Sequence, residues 1–558
     1  MSAAPTTAAP TGRKKLAQGK EQGGSGVPPL SQHKQQRRDA SATLGHETQS
    51  TLSPAGAKES DTLPKDWRWV TLGDVTESMK NGIYKPASSY AEDGLACLRM
   101  YNIGEGRIVW RDIKRMRLSE DEIREYELLP GDLLVNRVNS RELVGKAVAI
   151  PAGLERCVFE SKNIRVRIRH DLVLPEFVSY RLLSAGSRYF TQNAQQVVGM
   201  ASISQPQVGR FPVPLPPLPE QRRIVTEIEK QFTRLEAGVA ALRRVQVNLK
   251  RYRAAVLKAA CEGKLVPTEA ELRRTADNAD STDEKSRKSA AKTPAYETGK
   301  ALLTRILTER RRIHELAQAD AARKRKYKEP MPPCIPADEH LPEGWTWATW
   351  DQIGFSQNGR PFPSAEYQEA GFKLLRPGNL HVSGKVVWTE GNTRCMPQRF
   401  ADENPDLIVR GSELVMNLTA QSLKDEFLGR VCITGEDEGC LLNQRLARLT
   451  PVIVLPEFVL YLLKAWRFRR YVDGLNSGSL IQHMFTSQLA EFTFPFPPLA
   501  EQTRIVAEVE RRLSVVEELE AVVSANLQRA TRLRQSILQK AFTGQLLTAD
   551  NADNTDKK

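Results

Sequence analysis

Arginine, asparagine and glutamine are the side chains that fork onto base edges, and they crowd into a few short stretches of this chain. In the first half these are Arg99-Met100-Tyr101-Asn102, the run from Asn136 through Arg137, Asn139 and Arg141, and the run from Gln192 to Gln195. The second half offers Arg376 with Asn379, Asn417 with Thr419 and Gln421, Gln444-Arg445, and Gln482-His483. Arginine bonds bidentately to guanine and asparagine or glutamine to adenine, while Lys and Arg neutralise phosphates. Asparagine at such places equally holds turns. Arg99 with Arg376 and Asn136 with Asn417 gain weight because they occupy equivalent places in two copies of one module.

Other chemistries lack their residues. The chain has no Gly-x-x-x-x-Gly-Lys-[Ser/Thr] loop and no Gly-x-Gly-x-x-Gly, so no cradle for a nucleotide stands out. Asn404-Pro405-Asp406-Leu407 is not the Asn/Asp-Pro-Pro-aromatic loop of an adenine methyltransferase. His340, His381 and His483 are not spaced as metal ligands, and the 7 cysteines include no Cys-x-x-Cys pair. We expect no catalytic residue, metal or cofactor in this chain, and a reducing cytoplasm as its setting.

Charge points the same way as the side chains. The 81 Lys and Arg outweigh the 67 Asp and Glu by 14 over 558 residues, which favours a polyanionic partner. Nucleic acid leads, with an anionic membrane surface as competitor; no apolar stretch approaches the roughly 18 to 20 residues of a spanning helix. The start, Met1 to Leu16, lacks the apolar core of a secretory signal.

The elements that must position these residues come twice. Leu174-Pro175-Glu176-Phe177-Val178 recurs as Leu455-Pro456-Glu457-Phe458-Val459, a shift of 281 residues. Pro217-Leu218-Pro219-Glu220-Gln221 and Pro498-Leu499-Ala500-Glu501-Gln502 keep that shift, as do Gly263 and Gly544. Trp67-Arg68-Trp69 and Trp345-Thr346-Trp347 open the two copies. Each copy predicts a β-rich head. Its strands include Leu133–Val138, Ala147–Ile150 and Ile164–Arg169 in the first, Leu414–Leu418 and Val431–Thr434 in the second. Alternation in Ile164–Arg169 predicts a strand whose outer face is arginine. Helices starting at Pro175 and Pro456 put Phe177, Val178, Leu182, Phe458, Val459 and Leu462 in the cores.

Each copy then ends in a long helix. Ile228, Phe232, Leu235, Val239, Leu242, Leu249 and Val256 fall on steps of four and three, interrupted by Gln246 and Arg253. Val509, Leu513, Val516, Val523, Leu527, Ala530 and Ile537 repeat the pattern, interrupted by Glu520 and Arg534. These are heptad seams, and the two helices are each other's economical partners. A third helix is expected from Gly299 to about Tyr327, its Arg310-Arg311-Arg312 run facing solvent, phosphate or a partner. Residues 1–62 and 548–558 read as a disordered basic arm and a tail, and Thr275–Thr293 as the linker.

The duplicated Trp-x-Trp opening, the Gly131-Asp132-Leu133-Leu134-Val135 and Gly411-Ser412-Glu413-Leu414-Val415 strands, the Leu-Pro-Glu-Phe-Val helices and the Pro-Leu-x-Glu-Gln-x-Arg-Ile-Val helix starts resemble the DNA-specificity subunits of type I restriction-modification enzymes. Thr304 to Arg312 also resembles that family's central segment. The resemblance implies an α+β fold: target-recognition domains at 63–216 and 341–497, conserved helices at 217–266 and 498–547 forming an antiparallel coiled coil, and a linker at 267–340. It implies that each head reads half of a split duplex site. It also implies that two methyltransferase subunits dock on the helices, with Glu220, Gln221, Arg223, Ile224, Glu501, Gln502, Arg504 and Ile505 as docking residues. Two restriction/translocase subunits can join, and S-adenosylmethionine, ATP and Mg then belong to partners. A coiled-coil scaffold with two protein-binding heads is the alternative.

Overall fold

The computed structural model describes residues 63–193, 195–197, 200–280, 296–319, 326–421, 426–475 and 482–547. The expected arm at 1–62 and tail at 548–558 lie outside the described residues, as do 281–295 of the linker. The linker's first residues belong instead to a helix, Glu269–Asp280, started by a reciprocal pair: Thr268 N–H donates to Glu271 Oε2 and Glu271 N–H to Thr268 Oγ1.

The first head stacks two sheets. Thr76–Asn81, Asn163–Ile168, Leu133–Asn136 and Ala147–Ala149 form an antiparallel sheet in that order. The second sheet is Lys114–Met116, Tyr90–Leu98 and Cys157–Phe159, with the last pair parallel. The second head repeats this with Gly354–Asn358, Leu446–Pro451, Leu414–Asn417 and Val431–Ile433. Its other sheet orders Cys395–Met396, Phe372–Leu375, Cys440–Leu442 and Ile408–Val409. A two-stranded ribbon closes each head: Arg68–Thr71 with Pro212–Leu215, and Thr346–Thr349 with Thr493–Phe496.

Stacking corrects the arginine strand. Leu133 and Val135 face the helices while Leu134 faces the second sheet, so both faces of this sheet are covered. Arg165 therefore points into the interlayer and is 6% exposed. Its Nη1 donates to the carbonyls of Glu127 (2.7 Å) and Glu125 (3.2 Å), and burial lowers its pKa. Arg448 does the same work in the second head, donating to the carbonyls of Ile408 and Asp406 at 3.0 Å each.

The long helices run Leu218–Cys261 and Leu499–Phe542, each 44 residues or about 66 Å. They lie side by side and antiparallel: Arg253 meets Glu520 at 3.0 Å, and towards the other end Glu236 meets Arg534 at 3.4 Å. Along the seam Leu249, Val516 and Val523 are buried with Leu242 and Leu527 against them. Two interruptions of the seams, Arg253 and Glu520, thus satisfy each other. Both helices stop at a glycine of positive φ, Gly263 (+66°) and Gly544 (+75°), with Lys264 N–H donating to Ala259 O and Gln545 N–H to Lys540 O.

Because the pair is antiparallel, each head is sealed by both copies. The first head's core takes Ile224, Ile228 and Phe232 from the start of its own long helix and Ile537, Ala541 and Phe542 from the end of the other. The second takes Ile505, Val509 and Leu513 from its own and Val256, Leu257 and Ala260 from the first. Phe177 and Phe542 meet edge to face at 5.1 Å. The chain returns onto its start likewise: a Cβ on Gly544 would stand 2.2 Å from Pro64, and one on Gly263 2.6 Å from Pro342.

The third helix is shorter than expected, Gly299–Ala319, and Lys326 onward is not helical. Leu302, Leu303 and Ile306 enter the second head's core. Arg310 is buried, bonding the Gly354 carbonyl 4.0 Å from the Phe355 ring, while Arg311 and Arg312 pair with Glu329 and Glu309. Among the described residues no helix is long and apolar enough to cross a membrane.

Sealing across copies has a measurable consequence. Phe542→Ala removes a side chain 4% exposed from the first head's core, for a cost of about 3–5 kcal/mol. Hydrogen exchange should then quicken in strands 133–136 and 163–168 more than in 414–417 and 446–451; the reverse order contradicts the arrangement.

Candidate nucleic-acid interface

Asn81-Gly82 and Asn358-Gly359 bring each head's loops together at one end of its sheets. Gly82 passes so close to the Glu160 carbonyl that a Cβ would stand 2.2 Å from it, and Gly359 approaches the Asn443 carbonyl equally. Glu160 N–H and Asn163 Nδ2 both donate to Leu98 O, setting the turn 160–163 beside Arg99. Asn163 Oδ1 accepts from Asn136 Nδ2 at 3.1 Å, which ties in the turn 136–141. In the second head Asn443 N–H donates to Leu375 O, beside Arg376, and Leu418 N–H to Arg445 O.

A small sheet completes each cluster. Val138–Asn139 pairs with Met200–Ser202, which pairs with Gln195–Val197. Thr419–Ala420 pairs with Gln482–His483 in the same register, Thr419 opposite His483 as Val138 is opposite Ser202. Ile203 N–H to Arg137 O and Met484 N–H to Leu418 O are equivalent bonds. Gln192 joins from the end of the helix Pro175–Asn193, where Thr191 Oγ1 donates to the Arg141 carbonyl. Side chains chosen far apart in sequence therefore share one end of each head.

Not all of them face outward. Asn136 and Asn417 are fully buried. Asn136 Nδ2 donates to Lys162 O and its Oδ1 accepts from Asn139 Nδ2 (2.9 Å); Asn417 Nδ2 donates to Thr419 O and Phe427 O. Asn102 and Asn379 are 1% exposed and accept from the N–H of Arg99 and Arg376. These amides, with Asn139 at 8%, hold turns and present no open edge to a base. Arg99, Arg137, Arg376, Thr419 and Gln482 are half-buried. Arg99 lies 5.6 Å from the Tyr101 ring and Arg376 5.5 Å from the Tyr367 ring. Tyr101, Arg141, Gln192, Gln421, Gln444, Arg445 and His483 are exposed. The side chain of Gln195 lies outside the described residues. Two exposed aromatics here, Tyr84 (84%) and Phe485 (64%), were missed in the sequence. The recurrence of Asn-Gly three residues before Tyr84 and at Asn358-Gly359 would have pointed to the first.

The geometry accords with three comparisons. Residues 64–241 match the type I restriction modification DNA specificity domain. The EcoAI type I specificity subunit of Escherichia coli is 25% identical over 538 residues, covering 86% of this chain and 83% of its own length. Over most of its length the chain is thus similar to a DNA-specificity subunit of a type I restriction-modification system. A putative MjaX specificity subunit of Methanocaldococcus jannaschii is 31% identical over 173 residues, 29% of this chain and 38% of that one. A solved chain from work on assembly and conformational transition of a type I system shares the fold, with a TM-score of 0.53 at 19% identity over 87% of this chain and 100% of that one.

The expected docking residues at the helix starts are mostly turned inward. Gln221 is fully buried, accepting from Leu174 N–H and donating to the carbonyls of Leu172 and Pro216. Gln502 is also fully buried and donates to Pro497 O. Glu501 is 1% exposed, accepts from Trp345 Nε1 (2.6 Å) and Glu269 N–H (2.7 Å), and has its pKa raised by burial. Ile224 and Ile505 are core residues, and Arg504 pairs with Glu269. Glu220 is half-buried, leaving Arg223 as the exposed member of the eight. Gln221 thus fastens the first long helix to its own head, while Glu501 and Arg504 fasten the second to Trp345 and to residues 267–269.

Reactive chemistry is muted. Burial pushes the thiols of Cys97, Cys157, Cys261, Cys432 and Cys440 up to about 12, so they stay protonated. Among the described residues no group of three or more His, Cys, Asp or Glu is placed to hold a metal.

Buried and exposed members of the cluster should separate on mutation. Asn417→Ala leaves carbonyls unpaired at a cost of about 1–3 kcal/mol, whereas Gln444→Ala stays within about 0.5 kcal/mol. Thermal unfolding of the two variants checks this, and equal losses would contradict it.

Proposed function

We propose that the chain is the reading subunit of a type I restriction-modification complex, each head reading one half of a bipartite duplex site. The observation that carries this is the recurrence of one constellation at the same end of both heads, on a rod whose two helices hold them apart. Within this reading the buried asparagines shape the turns, and Tyr101, Arg141, Gln192, Gln421, Gln444, Arg445 and His483 meet the DNA. Gln195, Arg99, Arg137, Arg376, Thr419 and Gln482 stand beside them. The excess of 14 positive charges supplies the sequence-independent attraction.

Duplex binding by the purified chain should fall steeply with salt. Arg141→Ala and Arg445→Ala, on different heads, should each weaken it and lower the slope of log K against log salt by about 1 if that arginine meets a phosphate. A flat salt response with no duplex preference would instead favour the scaffold reading.

The same proposal has two methyltransferase subunits docking on the rod and two restriction/translocase subunits joining them in the cytoplasm. S-adenosylmethionine, ATP and Mg then act in those partners. Docking through the inward-turned helix starts would break the chain's own cores. The rod offers another surface: Val515, Leu519 and Val522 follow helical spacing on one helix and are 49%, 44% and 50% exposed, with Val245 and Tyr252 exposed on the other. Leu519→Asp should leave the melting temperature unchanged and reduce co-purification with methyltransferase subunits. Undiminished co-purification places docking elsewhere.

A further inference from the structure

The two copies differ where a loop of each head meets the rod. At the first head, Arg534 of the second long helix donates Nη2 to the Glu105 carbonyl (3.0 Å), and Arg107 faces Glu236 at 3.6 Å. The loop is thereby pinned to the helices. At the second head, the equivalent loop is Val382-Ser383-Gly384; Gly106 and Gly384 share a positive φ of +73° and +94°. There the head itself takes the carbonyls: Lys464 Nζ donates to Ser383 O (2.6 Å) and Val382 O (3.1 Å). Lys464 stands where the first copy has Leu183, for a Cβ on Gly384 would lie 2.9 Å from Lys464 Nζ and one on Gly106 3.2 Å from Leu183 Cδ2.

Arg253, the counterpart of Arg534, stays on the rod with Glu520 and, at 3.9 Å, Glu517. A cavity of about 760 Å³ opens between rod and loop, a size typical of small-molecule sites. Ala254, Leu257, Leu463 and Val382 give it apolar walls. Five cations line it against three carboxylates: Lys250, Arg253, Arg430, Lys464 and Arg469 against Glu426, Glu517 and Glu520. His381 lines it too.

We infer that this cleft is a binding site for a phosphate-bearing ligand, anchored by Lys464. An ammonium has three N–H donors, and two of them hold the loop carbonyls, leaving the third for a ligand oxygen. Burial and the neighbouring Arg253 lower the Lys464 ammonium to about 8, against the opposing pull of Glu517 and Glu426. A bound anion relieves the repulsion between the clustered cations and favours the protonated lysine. Neither the site nor its test involves the reading turns of the heads, so it can fail while the proposed function stands.

The full chain is titrated with inorganic phosphate and with AMP, without DNA, and binding is read by thermal shift and calorimetry. AMP is expected to raise the melting temperature at pH 7. Its affinity is expected to fall about tenfold by pH 9, where about one lysine in ten keeps its proton. Lys464→Leu, which installs the first copy's residue, should abolish binding; Lys464→Arg should bind without the loss at pH 9. No shift with either probe at millimolar concentration, or a Lys464→Arg protein that keeps the same pH loss, overturns the proposal. Should Lys464→Leu fail to fold, the Arg variant decides. Competition by excess non-specific duplex identifies a DNA phosphodiester as the natural occupant; an unaffected AMP affinity identifies a free phosphate compound, and both support the site.

Discussion

Antiparallel pairing of two 44-residue helices is the constraint on which the other features rest. A heptad seam must bury itself, and a helix this long reaches beyond one head. The end of each helix therefore arrives at the opposite head, where it supplies apolar side chains that head's core otherwise lacks. Phe542 in the first core and Leu257 with Ala260 in the second are the visible result. Neither head is a self-contained bead on a string.

Polar residues in the seam fit this picture. Arg253 and Glu520 break the apolar pattern of their helices, yet they fall opposite each other, and Arg534 finds Glu236. A charged pair at such positions contributes little net stability, because desolvation offsets attraction. It does penalise a slip of register, which would leave each charge without its partner. Since the heads are fused to the helix ends, register of the rod is also the spacing of the heads.

Much of this was legible in the residues. The shift of 281 at Leu174 and Leu455 revealed the duplication, and steps of four and three revealed the seams, because both depend on local spacing alone. What escaped depends on layers. Arg165 read as an outward residue, since alternation tells which residues share a face but not what covers it; a second sheet does. Asn136 and Asn417 showed the same limit, for an amide that straps a turn and one that reads a base are the same letter. The helix-start motif drew attention through its repetition, which here reflects repeated internal work by Gln221 and Gln502. The exposed Phe485 lacked a repeated partner and drew none, while the repeat that marks Tyr84 lies three residues before it.

Gly544 packing on Pro64, as Gly263 packs on Pro342, means that the second copy hands the chain back to the place where the first copy began. The described path thus closes on itself, with the end of the second copy beside the start of the first. Joining residue 547 to residue 63 and opening the chain within 281–295 would permute the order of the halves while preserving the neighbours of the core residues among those described. A half-length polypeptide would, by the same logic, recover its missing helix from a second molecule of itself.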